Sequence, residues 1–165
     1  RLPWLLIGMI GGIGNSMILG NFDSTFAAHP EMALYIPLIG GTGGNVGTQS
    51  SAIIVQGLAN SSLDAKNTFK QITKESVVAL INATIISLLV YTYNFIRFGA
   101  TATVTYSVSI SLFAVVMFAS IFGTLVPMTL EKFKIDPAIA TGPFIAITND
   151  IIGMMLYMGI TVLLS

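Results

Sequence analysis

The most informative absences in this 165-residue chain are those of charge and of cysteine. Only 8% of its residues are charged, whereas soluble domains carry about 25%. Seven basic and seven acidic residues cancel, so we do not expect nucleic acid as a partner, since a basic face would be typical of such a protein. The absence of cysteine excludes disulfides, thiolate metal sites and thiol nucleophiles. Since 54% of the residues are hydrophobic and the mean hydropathy is +0.85, we interpret the chain as an integral membrane segment.

Five apolar stretches are long enough to be membrane spans, which need about 20 residues as a helix. They cover residues 3–19, 32–58, 77–96, 104–128 and 137–164. Lys66, Lys70 and Lys74 recur every four residues before the third span, which predicts a short helix on the membrane surface. We predict an all-α membrane protein with five transmembrane helices per subunit in a single transmembrane domain.

The basic residues indicate the orientation of the five spans. Under this topology only Arg97 lies on one side of the membrane, and the other six basic residues lie on the opposite side. The positive-inside rule then predicts a multi-pass cell-membrane protein with a cytoplasmic N-terminus and an external C-terminus. Because the chain begins at Arg1 with no initiator Met, we expect it to be cut from something longer.

Asp150 is the only acid that falls in the middle of a predicted span. A charge at the bilayer centre costs at least about 2.5–3.5 kcal/mol, and no predicted span contains a Lys or Arg to neutralise it. The side chain is therefore either protonated and bonded to a neighbouring helix, or hydrated and facing a cation. We favour the second interpretation because acids inside membranes are usually functional.

Residues on the helical face of Asp150 are candidates for lining an ion path. They are Gly142, Pro143, Ala146 and Gly153. Pro143 removes a backbone donor and frees a carbonyl, which is tolerated at this depth only against protein or water. At the span ends, Asp136 precedes a proline and is typical of a helix N-cap, while Glu31 is a cap or part of an outer funnel. Both are candidate entrance acids.

The stretch IGGTGGNVGTQS, residues 39–50, holds five glycines and no charge. A phosphate loop is excluded, because Val46 replaces the third glycine of G-x-G-x-x-G and no lysine follows until Lys66. G-x-x-x-G spacing favours helix contact, but packing alone does not require polar side chains. A polar stripe accompanies the glycines: Thr42, Asn45, Thr48 and Gln49. We favour packing combined with pore lining.

A single carboxylate at depth cannot form a dry, all-protein site for a divalent ion. Either a second subunit completes the site, or the ion keeps its water. Mg²⁺ fits the second case, because it loses water reluctantly and binds through one or two carboxylates. Oxygen ligands suit Mg²⁺, Ca²⁺ or Mn²⁺ better than copper or zinc, and Co²⁺ is a further candidate. A homodimer would bring two Asp150 side chains together.

PLIGGTGGNVGTQSS (residues 37–51) and DPAIATGPFIAITNDIIG (residues 136–153) resemble the signature stretches of the MgtE magnesium channel and transporter family. This resemblance implies a homodimer with a pore along the subunit interface, lined by the second and fifth helices. It further implies that Asp150 and the Ala146 carbonyl face the ion. Family members usually carry cytoplasmic N-terminal and CBS domains, which this sequence does not contain.

The resemblance carries further expectations for individual residues of both stretches. Asn45, with Gly41 and Gly44 beside it, matches the pore-facing motif of the second helix. Gly142, by contrast, stands where some relatives carry a polar residue or proline, and Ala146–Ile147 replaces a pair that is often threonine-rich.

We therefore expect a Mg²⁺ channel or transporter that moves the hydrated ion, with no enzymatic activity, no bound cofactor and no small-molecule substrate. A cation-coupled secondary transporter or exchanger is the alternative, and a non-conducting scaffold is a third class. An intramembrane hydrolase is disfavoured, because Asp150 has no second acid, histidine or evident nucleophile at its depth.

Overall fold

The computed structural model describes residues 2–22, 27, 30–60, 68–99, 103–136 and 143–164. In chain order its elements are α1 (Leu2–Gly20), a 3-10 helix (Pro30–Tyr35), α2 (Ile36–Ala59), α3 (Thr68–Phe98), α4 (Thr103–Lys132) and α5 (Pro143–Leu164). The described residues contain no strand, which confirms the predicted all-α class.

The centre of the fold is α4, which packs against α2, α3 and α5, while α1 packs against α5. The interior of α4 is rich in small hydroxyl residues, which are buried: Thr105, Ser107, Ser109, Ser111, Ser120 and Thr124. Some of these hydroxyls bond within the helix, as Ser109 Oγ does to the Thr105 carbonyl at 3.0 Å. Because such side chains are short, neighbouring helices can approach α4 closely.

Close approach is most evident where α2 crosses α4. A Cβ atom added to Gly123 of α4 would lie 2.6 Å from the Gly47 carbonyl oxygen and 3.2 Å from Ser50 Cβ. A Cβ atom at Gly43 would lie 2.7 Å from Val115 Cγ1. The backbones themselves form this contact, so glycine is required on both helices.

An apolar cluster fills one end of the bundle. Its buried members are Tyr35, Ile39, Val104, Val108, Leu112, Val115, Met154, Tyr157 and Met158. The Tyr35 hydroxyl donates a hydrogen bond to Asn94 Oδ1 of α3. This buried bond ties the 3-10 helix before α2 to the far side of the bundle.

The prediction of a separate surface helix that carries three lysines is wrong. Lys70 and Lys74 belong to α3, which begins at Thr68 and continues without interruption to Phe98; Lys66 lies outside the described residues. No glycine or proline separates the lysines from the apolar stretch, and Gln71 Nε2 donates to Glu75 Oε1 at 3.2 Å across one turn. The helix therefore begins before the apolar stretch, because the polar residues that precede this stretch also favour helical structure.

Other boundaries shift for identifiable reasons. The second predicted span begins with the 3-10 helix, and α2 itself starts at Ile36 with Pro37 in its first turn, where the missing N–H is harmless. The fourth helix extends beyond its predicted end to Lys132, although it contains Pro127. For the fifth span, residues 137–142 lie outside the described residues.

Three described helices are long and apolar enough to cross a membrane: Phe69–Phe98, Thr103–Lys132 and Phe144–Leu164. In α1 the apolar part is the shorter Leu5–Gly20. Along α3, large apolar side chains such as Ile81, Ile85 and Leu88 are exposed, as expected for a surface in contact with lipid. The total of five spans stays a prediction.

We expect Gly123→Ala to lower the free energy of unfolding by about 1–3 kcal/mol, because the new methyl group would overlap the Gly47 carbonyl. The measurement is thermal unfolding of the protein in detergent. Gly159→Ala is the matched control, since its Cβ would meet nothing within 4 Å. Equal melting temperatures for the two variants would contradict the close α2–α4 contact.

Candidate cation-binding site

The carboxylate of Asp150 lies on α5 between glycine-rich faces of two other helices. On one side, Asp150 Oδ1 is 3.6 Å from the position a Cβ would take at Gly40 of α2 and 3.8 Å from that at Gly44. On the other side is a pocket of about 70 Å³. The pocket is lined by Gly8, Gly11, Gly12, Asn15, Ile147 and Asp150. Absent side chains on α1 and α2 thus leave space around the acid.

The described helices around Asp150 carry no compensating charge. The three helices around it contain no Lys or Arg, and Asp150 is their only charged residue. An isolated carboxylate among neutral helices needs water or a cation to stay ionised. In the described part of the chain, no three His, Cys, Asp or Glu side chains converge as a metal site. Among the described residues, a single carboxylate is therefore available at this depth.

The neighbouring residue Asn149 fixes the rotation of α5. Its side chain is buried and occupies the space where a Gly47 side chain would begin, so α2 and α5 interlock there. Its Oδ1 and Nδ2 atoms have no hydrogen-bond partner. Successive residues are about 100° apart around a helix. With Asn149 held against α2, Asp150 is directed toward the glycines of α1 and α2.

The predicted polar stripe of α2 divides into two parts. Asn45 and Gln49 are exposed, and Gly41 lies on the same exposed face. Thr42 is half-buried, as is Thr48, whose hydroxyl donates to the Gly44 carbonyl. Since Gly44 faces Asp150 and Asn45 is the next residue, the Asn45 amide is directed about 100° away from the carboxylate within one protomer.

The other predicted residues of α5 differ in where they lie relative to Asp150. Ala146 is half-buried one turn before Asp150. Gly153 is buried against the apolar cluster, where a Cβ would lie 3.8 Å from Val115 Cγ1, so the structure does not bring it to the carboxylate. Gly142 lies outside the described residues.

The two candidate entrance acids are not at the carboxylate of Asp150. Glu31 is half-buried in the 3-10 helix before α2, and Asp136 is exposed after α4. The proline that follows Asp136 lies outside the described residues, so the predicted N-cap stays a prediction.

Sequence reasoning missed the part of the site that α1 contributes. Gly8, Gly11, Gly12 and Asn15 all line the pocket with Asp150. Their spacing of i, i+3, i+4 and i+7 places them on one helical face, and this spacing was the available signal. Gly40 of α2 also faces Asp150, whereas its G-x-x-x-G spacing with Gly44 in the sequence indicates only helix contact.

Three apolar helices of membrane-spanning length, together with a carboxylate on α5 that has no Lys or Arg on the helices around it, define a helical membrane protein with a candidate cation site. A family model described as MgtE, divalent cation transporter, matches residues 36–160, and the chain belongs to this family.

Curated relatives agree with this assignment. The chain is 32% identical over 160 residues to the magnesium transporter MgtE of Bacillus subtilis and 32% identical over 164 residues to that of Thermus thermophilus. It is 29% identical over 163 residues to that of Enterococcus faecalis. The alignments cover 97–99% of this chain but only 35–36% of each relative. The chain thus spans about a third of the length of these relatives.

We expect Asn45→Cys to react with a charged, water-soluble thiol reagent at least about tenfold faster than Leu88→Cys, since thiolate forms in water and not in lipid. Both side chains are exposed, but Leu88 lies on the apolar surface of α3. The chain has no cysteine of its own, so each variant carries one new thiol. Equal rates of labelling would contradict a hydrated face on α2.

Proposed function

We propose that this chain forms the ion-conducting part of a Mg²⁺ channel in the cell membrane. The observation that carries the proposal is the position of Asp150, an unpaired carboxylate among three otherwise uncharged helices with free space beside it. The family description as divalent cation transporters and the magnesium transporters among its relatives support Mg²⁺ as the transported substrate.

In this proposal Asp150 binds the ion through its water shell. Mg²⁺ holds its waters tightly and requires near-ideal octahedral geometry, so one carboxylate with space for water suits it better than a dry cage. The Ala146 carbonyl and, across the interface of the homodimer proposed below, the amide oxygen of Asn45 accept hydrogen bonds from the same water shell. Contact through water is weaker than direct coordination, and conduction requires that each ion can leave.

The exposed polar face of α2 supports a homodimer. Asn45 and Gln49 are exposed in one protomer, and polar side chains at membrane depth rarely face lipid. A second copy related by a two-fold axis would cover this face with the same face of its own α2. In such a dimer the ion path runs along the interface, with an Asp150 from each subunit.

The topology in this proposal keeps all five helices as transmembrane spans with a cytoplasmic N-terminus. Glycine and polar residues lower the hydropathy of α2, but a helix that lines water and packs on α4 need not be apolar. Lys70 and Lys74 at the start of α3 and Lys132 at the end of α4 lie together on the cytoplasmic side.

We expect Asp150→Asn to reduce Mg²⁺ uptake by at least about tenfold, the factor that about 1.4 kcal/mol of lost binding produces. The measurement is Mg²⁺ uptake into vesicles that contain the full-length protein and a Mg²⁺-sensitive dye. Asn has nearly the shape of Asp, so the substitution removes the charge and leaves the packing unchanged. Uptake at the wild-type rate would overturn the proposal.

Glu131→Gln is the matched control, because it neutralises an exposed acid near the end of α4 and should leave uptake unchanged. The same vesicles separate a channel from a coupled exchanger. A channel carries Mg²⁺ without any gradient of a second ion and gives single-channel currents. Uptake that requires a proton or Na⁺ gradient would establish the exchanger instead.

We expect Gln49→Cys to form a disulfide-linked dimer under mild oxidation in the membrane, since this exposed residue lies on the proposed interface. A disulfide requires Cα atoms within about 7 Å, so cross-linking reports direct proximity. Leu89→Cys on the exposed surface of α3 is the control and should stay monomeric. Equal cross-linking at both positions would indicate random collision and contradict the interface.

A further inference from the structure

Arg97, in the last turn of α3, forms no ion pair with an acid of the described residues. Its Nη1 atom donates a hydrogen bond to the Tyr93 hydroxyl at 3.1 Å, one turn earlier on the same helix. Its Cζ atom lies 5.0 Å from the centroid of the Phe98 ring, within the range of a cation–π contact. The two aromatic side chains thus hold a guanidinium that is exposed and retains most of its N–H donors.

The position of Arg97 along α3 corresponds to the membrane–water interface. Lys74 and Arg97 are 23 positions apart in one continuous helix. At 1.5 Å per residue they are about 35 Å apart along the helix axis, slightly more than the hydrocarbon thickness of about 30 Å. The two basic residues therefore reach opposite headgroup layers. Tyr91 and Phe95, whose ring centroids are 6.3 Å apart, add the aromatic side chains that are typical of this depth.

Exposed apolar side chains occupy the turns of α3 that precede Arg97. Ile96 is 80% exposed, Leu89 is 66% exposed and Phe95 is 50% exposed. In a membrane these side chains contact acyl chains. A molecule that carries both a phosphate and acyl chains therefore matches the end of α3 better than a free anion, which would contact only the polar groups.

The polar groups match a phosphate in charge and in geometry. A guanidinium presents parallel N–H donors that bind two phosphate oxygens at once. The Tyr93 hydroxyl accepts its bond from Arg97, so its own proton is free to donate to another phosphate oxygen. An anionic headgroup is favoured over a zwitterionic one, because Arg97 repels a second cation next to the phosphate.

We propose that Arg97 and Tyr93 form a binding site for the phosphate of an anionic phospholipid, whose acyl chains lie along the exposed surface of α3. In the proposed topology this lipid belongs to the external leaflet. The site is separate from the proposed ion path, since the residues around Asp150 belong to α1, α2 and α5. It holds whether or not the chain conducts Mg²⁺.

The test is the concentration of phosphatidylglycerol that gives half of the maximal increase in melting temperature of the full-length protein in detergent. We expect Arg97→Gln to raise this concentration at least about tenfold, because it removes charge-assisted hydrogen bonds to the phosphate. Lys74→Gln is the matched control, since it removes the same charge from the opposite end of α3 and should leave the concentration unchanged. An unchanged concentration in Arg97→Gln, or an equal rise in both variants, would overturn the site.

Two further variants separate geometry from charge. Arg97→Lys keeps the charge but loses the planar pair of donors, so its half-maximal concentration should fall between those of the wild type and Arg97→Gln. Tyr93→Phe removes one neutral donor and should raise the concentration about threefold. A wild-type response in both of these variants would show only a general attraction of anionic lipid to a positive charge, and the site would be wrong.

Two further ligands identify the source of the phosphate. Phosphatidylcholine shares the acyl chains and the phosphate but is zwitterionic, so it should require a higher concentration than phosphatidylglycerol. Inorganic phosphate lacks acyl chains and should give no increase at the same concentrations. An equal response to phosphatidylcholine, or a response to inorganic phosphate that Arg97→Gln removes, would contradict an anionic phospholipid as the ligand.

Asp150→Asn distinguishes this inference from the proposed function. The variant should respond to phosphatidylglycerol as the wild type does, because the lipid site lies on α3 and not beside the ion path. Loss of Mg²⁺ uptake with an intact lipid response supports both conclusions. A lipid response that Asp150→Asn removes would show that the lipid acts at the ion path, and the site at Arg97 would be wrong.

Discussion

The structure depends on one constraint, which is that a carboxylate sits among helices that carry no other charge. Asp150 is the only charged residue of α1, α2 and α5. A half-buried carboxylate without a charged partner is unfavourable among apolar side chains, so it stays ionised only where the space around it admits water or a cation. Glycines on both neighbouring helices provide that space, because any larger residue facing the carboxylate would bring apolar atoms against it.

The contacts that hold the helices together also orient the acid. Gly47 meets Gly123 of α4 on one side and accommodates the Asn149 side chain on the other, so a single glycine joins three helices. Asn149 in turn fixes which face of α5 is directed toward the glycines of α1 and α2. Helix packing and the proposed cation site are therefore coupled through the adjacent residues Asn149 and Asp150.

Much of the fold follows from the sequence, and the errors have physical causes. Apolar stretches located the helices, although α2 begins at Ile36, with Pro37 in its first turn, and not at the predicted residue 32. The predicted start of α3 was too late, because hydropathy changes at the membrane surface whereas the helical backbone continues beyond it. The glycine-rich α2 is the opposite case. Its sequence is less apolar than that of a lipid-facing span, yet it forms a continuous helix that packs on α4.

The sequence by itself determined that Asp150 needs a polar environment, because a lone mid-span acid with no basic partner allows little else. It also determined that the run from Gly40 to Gly47 permits close helix contact. Only the tertiary structure decided which residues meet the carboxylate. Gly40 and Asn15 are 110 and 135 positions away from Asp150 in the chain. Their approach depends on how α1 and α2 rotate against α5, and that rotation is set by the sum of many packing contacts rather than by any local pattern.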